Sequence, residues 1–199
     1  MITVKHISKS FADVQILKDV SFVFETGKTN LIIGKSGSGK SVLTKCIVGL
    51  FEPDEGEIFY DERKLSDLKP KARKEIRKEI GMLFQASALF DSLTVEENVA
   101  FPLNMFTKMT KEEISDRVNF CLNRVNIINK NQLFPSELSG GMQKRVAIAR
   151  AIAMQPKYLF CDEPNSGLDP VTAIVIDELI KEITDEYNMT TIVITHDMN

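Results

Sequence analysis

The stretch Gly34-Lys35-Ser36-Gly37-Ser38-Gly39-Lys40-Ser41 has the spacing G-x-x-x-x-G-K-[ST], a pattern that forms a phosphate cradle when a strand precedes it and a helix follows. Both conditions hold: the apolar run Leu31, Ile32, Ile33 ends where the glycines begin, and a helical pattern starts after Lys40. The glycines let the backbone curl so that successive N–H groups converge on anionic oxygens, while the new helix aims its positive dipole end at them. Lys40 is expected to reach β- and γ-phosphates, and Ser41 to ligate magnesium.

Magnesium-nucleotide chemistry then requires a carboxylate for the metal and a group that orients water. Tyr158, Leu159, Phe160 and Cys161 read as a short buried strand of the parallel type, with Asp162 and Glu163 at its carboxyl end, where ligands bind in open α/β sheets. Adjacent residues on an extended chain point to opposite sides, so the two acids divide their roles. Asp162 is assigned to the metal shell and Glu163 to the attacking water as general base. A third strand, Thr191 to Thr195, ends just before His196, which is placed to hydrogen-bond a γ-phosphate or a polarised water. Gln85 follows the apolar stretch Ile80 to Phe84 and offers an amide to metal or water.

With these residues in view, the chain resembles the ATP-binding subunits of ABC transporters over essentially its whole length. Gly34 to Ser41 looks like Walker A, Gln85 like the Q-loop, Ser139-Gly140-Gly141-Met142-Gln143 like the signature, Tyr158 to Glu163 like Walker B, Ser166-Gly167-Leu168-Asp169 like the D-loop, and His196 like the switch histidine. The resemblance implies ATP contacts at Phe11, similar to the aromatic that stacks on adenine, at Ile16, and from Gly34 through Lys35, Ser36, Gly37, Ser38, Gly39, Lys40 and Ser41 to Val42. Catalysis falls to Glu163, His196, Gln85 and Lys40, and magnesium to Ser41, Gln85 and Asp162.

Ser139, Gly140 and Gly141 lie at a helix N-terminus, a second anion site. In the family it closes over the γ-phosphate held by the opposite chain, so two ATP molecules are sandwiched in a head-to-tail dimer. No internal repeat of the phosphate loop occurs, so a second ATPase subunit, expected to be identical, must supply the other half. The remaining implied partners are integral membrane permease subunits. Within the family, Phe84 to Leu103 and Ser136 to Ala153 look most like the ATPases of maintenance-of-lipid-asymmetry, or mammalian-cell-entry, lipid transport systems, through Ala88-Leu89-Phe90 and the methionine after Gly141. The alternatives are the ATPase of a small-solute importer, a soluble ABC ATPase without a permease, and a regulatory module without turnover, which Glu163 and His196 argue against.

Composition sets boundaries. At 199 residues and 43% hydrophobic content the chain can bury a sizeable core, and a formal net charge of −3 implies no global attraction to nucleic acid. Lys69, Lys71, Arg73, Lys74, Arg77 and Lys78 form a basic cluster interrupted by Glu75 and Glu79, read as a solvated helical face. The three cysteines, 46, 121 and 161, lack metal-ligand spacing and fit buried reduced thiols. No apolar run approaches a membrane span and the N-terminus carries no signal core, so the expected place is the cytoplasmic face of the inner or plasma membrane, held there by the permease.

The elements that must mount these residues are an α/β set. The resemblance implies a P-loop NTPase (RecA-like) core with a parallel sheet, a small antiparallel β part near the N-terminus and an inserted helical subdomain. Residues 1–85 and 156–199 are assigned to the nucleotide-binding core and 86–155 to the helical signature subdomain, together one ABC ATPase domain over 1–199. From Ala86 to about Gln155 the period is helical, with a capping-box signature at Thr110 and Glu113 and a helix from Gly140 through Met154. Asp169-Pro170 supplies an N-cap and N1 proline for a helix whose Ile176, Leu179, Ile180 and Ile183 form a core-facing stripe. Related subunits continue beyond the switch histidine, so a sheet edge is expected to be bare here. Asn165 stands where relatives often have threonine or an aromatic.

Overall fold

The computed structural model describes residues 1–196; the last three positions assigned to the core segment 156–199 lie outside them. The elements in chain order are β1 (Ile2–Phe11), β2 (Val14–Phe24), β3 (Lys28–Ile33), α1 (Lys40–Ile47), β4 (Glu55–Tyr60), β5 (Arg63–Lys64), α2 (Pro70–Lys78) and β6 (Ile80–Leu83). Then follow α3 (Val95–Phe106), α4 (Lys111–Arg124), α5 (Gly140–Ile152), β7 (Tyr158–Asp162), α6 (Pro170–Tyr187) and β8 (Thr190–Thr195). One sheet runs β2-β1-β4-β5 with antiparallel pairings; the other runs β3-β8-β7-β6 with parallel pairings throughout. The expected α/β architecture is therefore present, with α3, α4 and α5 inserted between β6 and β7, the second and third strands of the parallel sheet along the chain.

β7 is buried along Tyr158–Cys161, the continuous apolar run of a strand covered on both faces. α1 packs through Leu43, Cys46 and Ile47 into the same cluster as Tyr158, Phe160, Ile192 and Ile194, while α5 and α6 belong to a second cluster with Leu159, Cys161 and Val193. Alternate residues of β7 thus serve opposite faces of the sheet. The stripe read on α6 is buried as expected, Ile176, Leu179, Ile180 and Ile183 being 0–7% exposed. At about 1.5–3 kcal/mol for each fully buried branched aliphatic, this stripe is a main reason α6 lies against the sheet. All three cysteines are buried and free, and burial pushes the Cys161 thiol up to about 12.

Two helix starts are fixed by reciprocal capping. Thr110 and Glu113 form the expected box at α4, and Thr94 and Glu97 form a second one at α3 that the same spacing could have revealed. α3 carries Pro102 in its interior. Nearby, the fully buried Asn98 side chain donates to Phe90 O, Leu93 O and Thr94 O and accepts from Phe90 N, tying the segment after Gln85 onto the helix. Among the described residues β3 lies at the end of its sheet, with Leu31 and Ile33 half-exposed.

Candidate active site

The parallel register brings four strand ends to one edge. Ile33 pairs with Thr195, Asp162 with Ile194 and Leu83 with Cys161, so the residues that follow emerge side by side: Gly34, His196, Glu163 and, two positions after β6, Gln85. A cleft of about 440 Å³ opens there. Its walls are Ser36, Gly37, Ser38, Gly39, Lys40, Ser41 and Val42 on one side, Gln85, Asp162, Glu163 and His196 on another, and Ile16 from β2. Phe11 does not line it. That ring stands at the end of β1, 43% exposed, with its centroid 5.4 Å from that of Phe51.

The loop before α1 needs its glycines for conformation and for space. Gly39 is the N-cap of α1 at φ 96°, in the left-handed region, and a Cβ there would sit 3.3 Å from the Ile16 carbonyl oxygen. The Lys40 ammonium folds back over the loop, donating to Gly34 O at 2.5 Å and Lys35 O at 3.1 Å. The same ammonium lowers the Asp162 carboxyl, but burial first and Glu163 second outweigh it and raise that group above the usual carboxylate range. Ser41, Gln85 and Asp162 offer oxygen donors on the walls of one cleft, the donor type magnesium takes, and the crowded negative charge at Asp162 is what a divalent ion would relieve. The residues present therefore fit that ion.

Glu163 is held tightly for a residue that follows a strand. It sits at φ 46°, a left-handed conformation costing a bulky side chain on the order of 1 kcal/mol or more, and both flanking peptide groups are pinned. Its N–H donates to Ile194 O at 2.9 Å, and its carbonyl accepts from Ser166 N at 3.1 Å. Its carboxylate, 13% exposed, meets the His196 ring with 2.7 Å between Oε1 and Nδ1. The Gln85 amide donates to Ser166 Oγ at 3.2 Å, linking the Q-loop position to the segment after Glu163.

Sequence reasoning missed Lys144. It is 4% exposed, its ammonium donates to Gln85 O and, at 3.4 Å, to Glu163 O, and burial lowers its pKa from the ordinary lysine value. The signal was a cation one helical turn before Ile148 on an otherwise buried face of α5. Arg150, two turns further on, was also passed over; it donates to Ser87 O at 2.8 Å and Ala88 O at 2.6 Å, the carbonyls of two residues with positive φ.

The five residues from Ser139 to Gln143 stand apart from the cleft. Ser139 caps α5, its hydroxyl accepting from Met142 N at 3.3 Å. Gln143 turns inward, donating to Pro135 O at 2.9 Å and Leu138 O at 3.3 Å, and Met142 packs against the buried cluster. Gly141 allows α5 to approach α6 closely, since a Cβ there would lie 2.6 Å from Thr172 Cγ2. Thr172 is itself held by Asp169, which caps α6 through Val171 N and Thr172 N and accepts the Thr172 hydroxyl at 2.5 Å. Ser166, Gly167 at φ 78° and Leu168 bridge Glu163 to that cap. Asn165 donates to Asp177 at 2.8 Å, and its side-chain oxygen is buried without a protein partner.

Comparison with known proteins agrees with this arrangement. The family model described as ABC transporter matches residues 17–166. Across the whole chain it is 44% identical to the methionine import ATP-binding protein MetN of Clostridioides difficile (strain 630), covering 61% of that protein, and 40% identical to the probable ribonucleotide transport ATP-binding protein mkl of Mycobacterium leprae (strain TN), covering 57%. It thus spans about six tenths of the length of these relatives. The fold superposes on the ATP-binding cassette MJ0796, solved as a dimer in a post-hydrolysis state bound to ADP and Pi, with a TM-score of 0.88, 36% identity, all of this chain and 89% of the other. With the phosphate loop, the Asp162-Glu163 pair and His196 gathered at one edge of a parallel sheet, this chain belongs to the ABC transporter family.

Proposed function

We propose that the chain is the ATP-binding and ATP-hydrolysing subunit of a transporter, working as a head-to-tail pair and driving integral membrane permease subunits. The observation that carries the reading is the convergence of Lys40, Ser41, Asp162, Glu163, Gln85 and His196 on one cleft. The loop N–H groups and Lys40 bind the phosphates. Glu163, partly buried and oriented by His196, takes the proton of the attacking water as oxygen bonds to the γ-phosphorus and the bond to the β,γ-bridging oxygen breaks, releasing ADP and phosphate. Magnesium, held by Ser41, Asp162 and Gln85, would supply charge neutralisation on the phosphate oxygens. Ser139 and the N-terminus of α5 serve the site of the opposite chain, Ser166 to Asp169 lie on the same route between subunits, and Phe11, exposed at the end of β1 outside the cleft walls, is the aromatic assigned to the base. The helical segment 86–155 moves as a lobe against the rest.

For the cargo, the names of the relatives, methionine import and probable ribonucleotide transport, favour small-solute import over lipid transport. The residues that point to lipid transport are Ala88-Leu89-Phe90 and Met142. Leu89 and Met142 both pack against the buried cluster, so packing alone accounts for two of those residues. No helix among the described residues is long and apolar enough to cross a membrane, which suits a subunit attached through a permease.

The test is purification of the native complex from membranes, identification of its other subunits and cargo, and measurement of phosphate release with Mg-ATP. Cargo-stimulated hydrolysis in a complex containing a permease is expected. A protein without hydrolysis and without membrane partners would overturn the proposal.

A further inference from the structure

Lys144 is a cation in the second turn of α5, almost fully buried, whose donors go to backbone carbonyls of two residues with side chains in the cleft. Simple satisfaction of a buried ammonium would be met by any nearby carbonyls. Here one is Gln85 O and the other Glu163 O, and the two residues are joined again on the far side, because Gln85 Nε2 donates to Ser166 Oγ while Ser166 N donates to Glu163 O. The result is a closed loop through Lys144, Gln85, Ser166 and Glu163. It ties the helix that starts at Ser139 to the Q-loop position, to the carboxylate beside His196 and to the segment leading to Asp169.

Glu163 is where such a tie has leverage. Its left-handed φ of 46° persists only while its peptide groups are held, and Lys144 and Ser166 are the two donors on its carbonyl. We propose that Lys144 is a positioning residue for hydrolysis: its ammonium clamps the backbone of Gln85 and Glu163 to the signature helix, so that the carboxylate is in register only when α5 is correctly seated. The proposal deepens the ATPase reading and rests on it for its catalytic half. Its structural half, the clamp, stands independently.

Lys144→Met keeps the length of the side chain and its apolar packing but removes the donors; Lys144→Arg restores donors. With Mg-ATP, Lys144→Met is expected to lower kcat by about 10- to 100-fold, the scale of loss that a misplacement near 1 Å produces, while KM and the calorimetric Kd for ATP stay within about 3-fold. Lys144→Arg should recover most of kcat. In parallel, hydrogen exchange without nucleotide should accelerate in Lys144→Met at the amides of 84–88 and 163–167, with β1 and β2 unchanged as the control for global loosening. Unchanged exchange in those two segments overturns the clamp, whether or not the protein hydrolyses ATP. A fall in kcat matched by an equal loss of ATP affinity, or by faster exchange throughout, also overturns it by making Lys144 merely structural. If the wild type bound no ATP, the ATPase reading would fail, while the exchange arm would still decide the clamp.

Discussion

The Glu163 carboxylate and the His196 imidazole lie 2.7 Å apart although they come from adjacent strands, β7 and β8, separated by the whole of α6. The contact exists because the strands pair in parallel, Asp162 opposite Ile194, so that each delivers its next residue to the same edge. It orients the group proposed as the base before any substrate arrives. Preorganisation of this kind is worth most where charge moves in the transition state.

Loss of the base and loss of the phosphate ligand should separate kinetically. Glu163→Gln keeps the shape of the side chain, so turnover should fall by about 10²- to 10⁴-fold with ATP affinity retained. Lys40→Ala removes a charge aimed at the phosphates and should weaken ATP binding itself. Phosphate release and calorimetric titration check the pair, and equal affinity in both variants would refute the division of roles.

The capping geometry of Ser139 leads to a prediction about association. Its hydroxyl and the first N–H groups of α5 stand outside the chain's own cleft, so they are available to a second copy. A Glu163→Gln protein should dimerise when Mg-ATP is added, and adding Ser139→Arg should abolish this by filling the anion site. Light scattering with and without nucleotide reads the outcome; a mass that stays monomeric in the first protein contradicts the sandwich.

Much of this site was legible in the sequence because it is local. Phosphate loops, strand-end acids and helix caps are set by residues a few positions apart, and Asp169, Thr110 and Ser139 cap where spacing placed them. The rest depends on register between distant segments. Nothing in the order of residues tells that the Lys144 ammonium meets Gln85, 59 positions earlier, or that the Arg150 guanidinium meets Ala88, 62 earlier. Gly141 likewise reads as an anion-loop glycine, while the structure adds that only a hydrogen side chain lets α5 pass Thr172.

On the opposite end of the parallel sheet, Arg63 grips Glu79 through two hydrogen bonds of 3.0 and 2.7 Å, and this bonding holds the Glu79 carboxyl below the usual carboxylate range. A depressed folded-state pKa contributes stability that is complete above the unfolded value and lost as pH falls through the folded one. Glu79→Gln should therefore cost about 1 kcal/mol at pH 7, the pair being partly solvated, and progressively less as pH drops below about 4. Urea unfolding at a series of pH values measures it. A difference from wild type that stayed constant into acid would show that the ion pair is not its source.

The last prediction concerns the permease. Phe90 and Phe101 pack with ring centroids 4.7 Å apart and remain 43% and 37% exposed, while Leu89 is drawn into the buried cluster. The backbone behind them is fixed from two sides, by Asn98 on Phe90 and by Arg150 on Ser87 and Ala88. An apolar surface made by Phe90, five residues after Gln85, and Phe101 on α3 is suited to receive a short amphipathic helix of a membrane subunit and to pass its displacement to the cleft. Phe90→Asp puts a charge on that surface without touching the cleft. It should strip the permease from the purified complex and abolish transport, while ATP hydrolysis by the isolated chain stays within a few-fold of wild type and serves as the check on folding. Full assembly and transport by a folded Phe90→Asp protein would place the docking surface elsewhere.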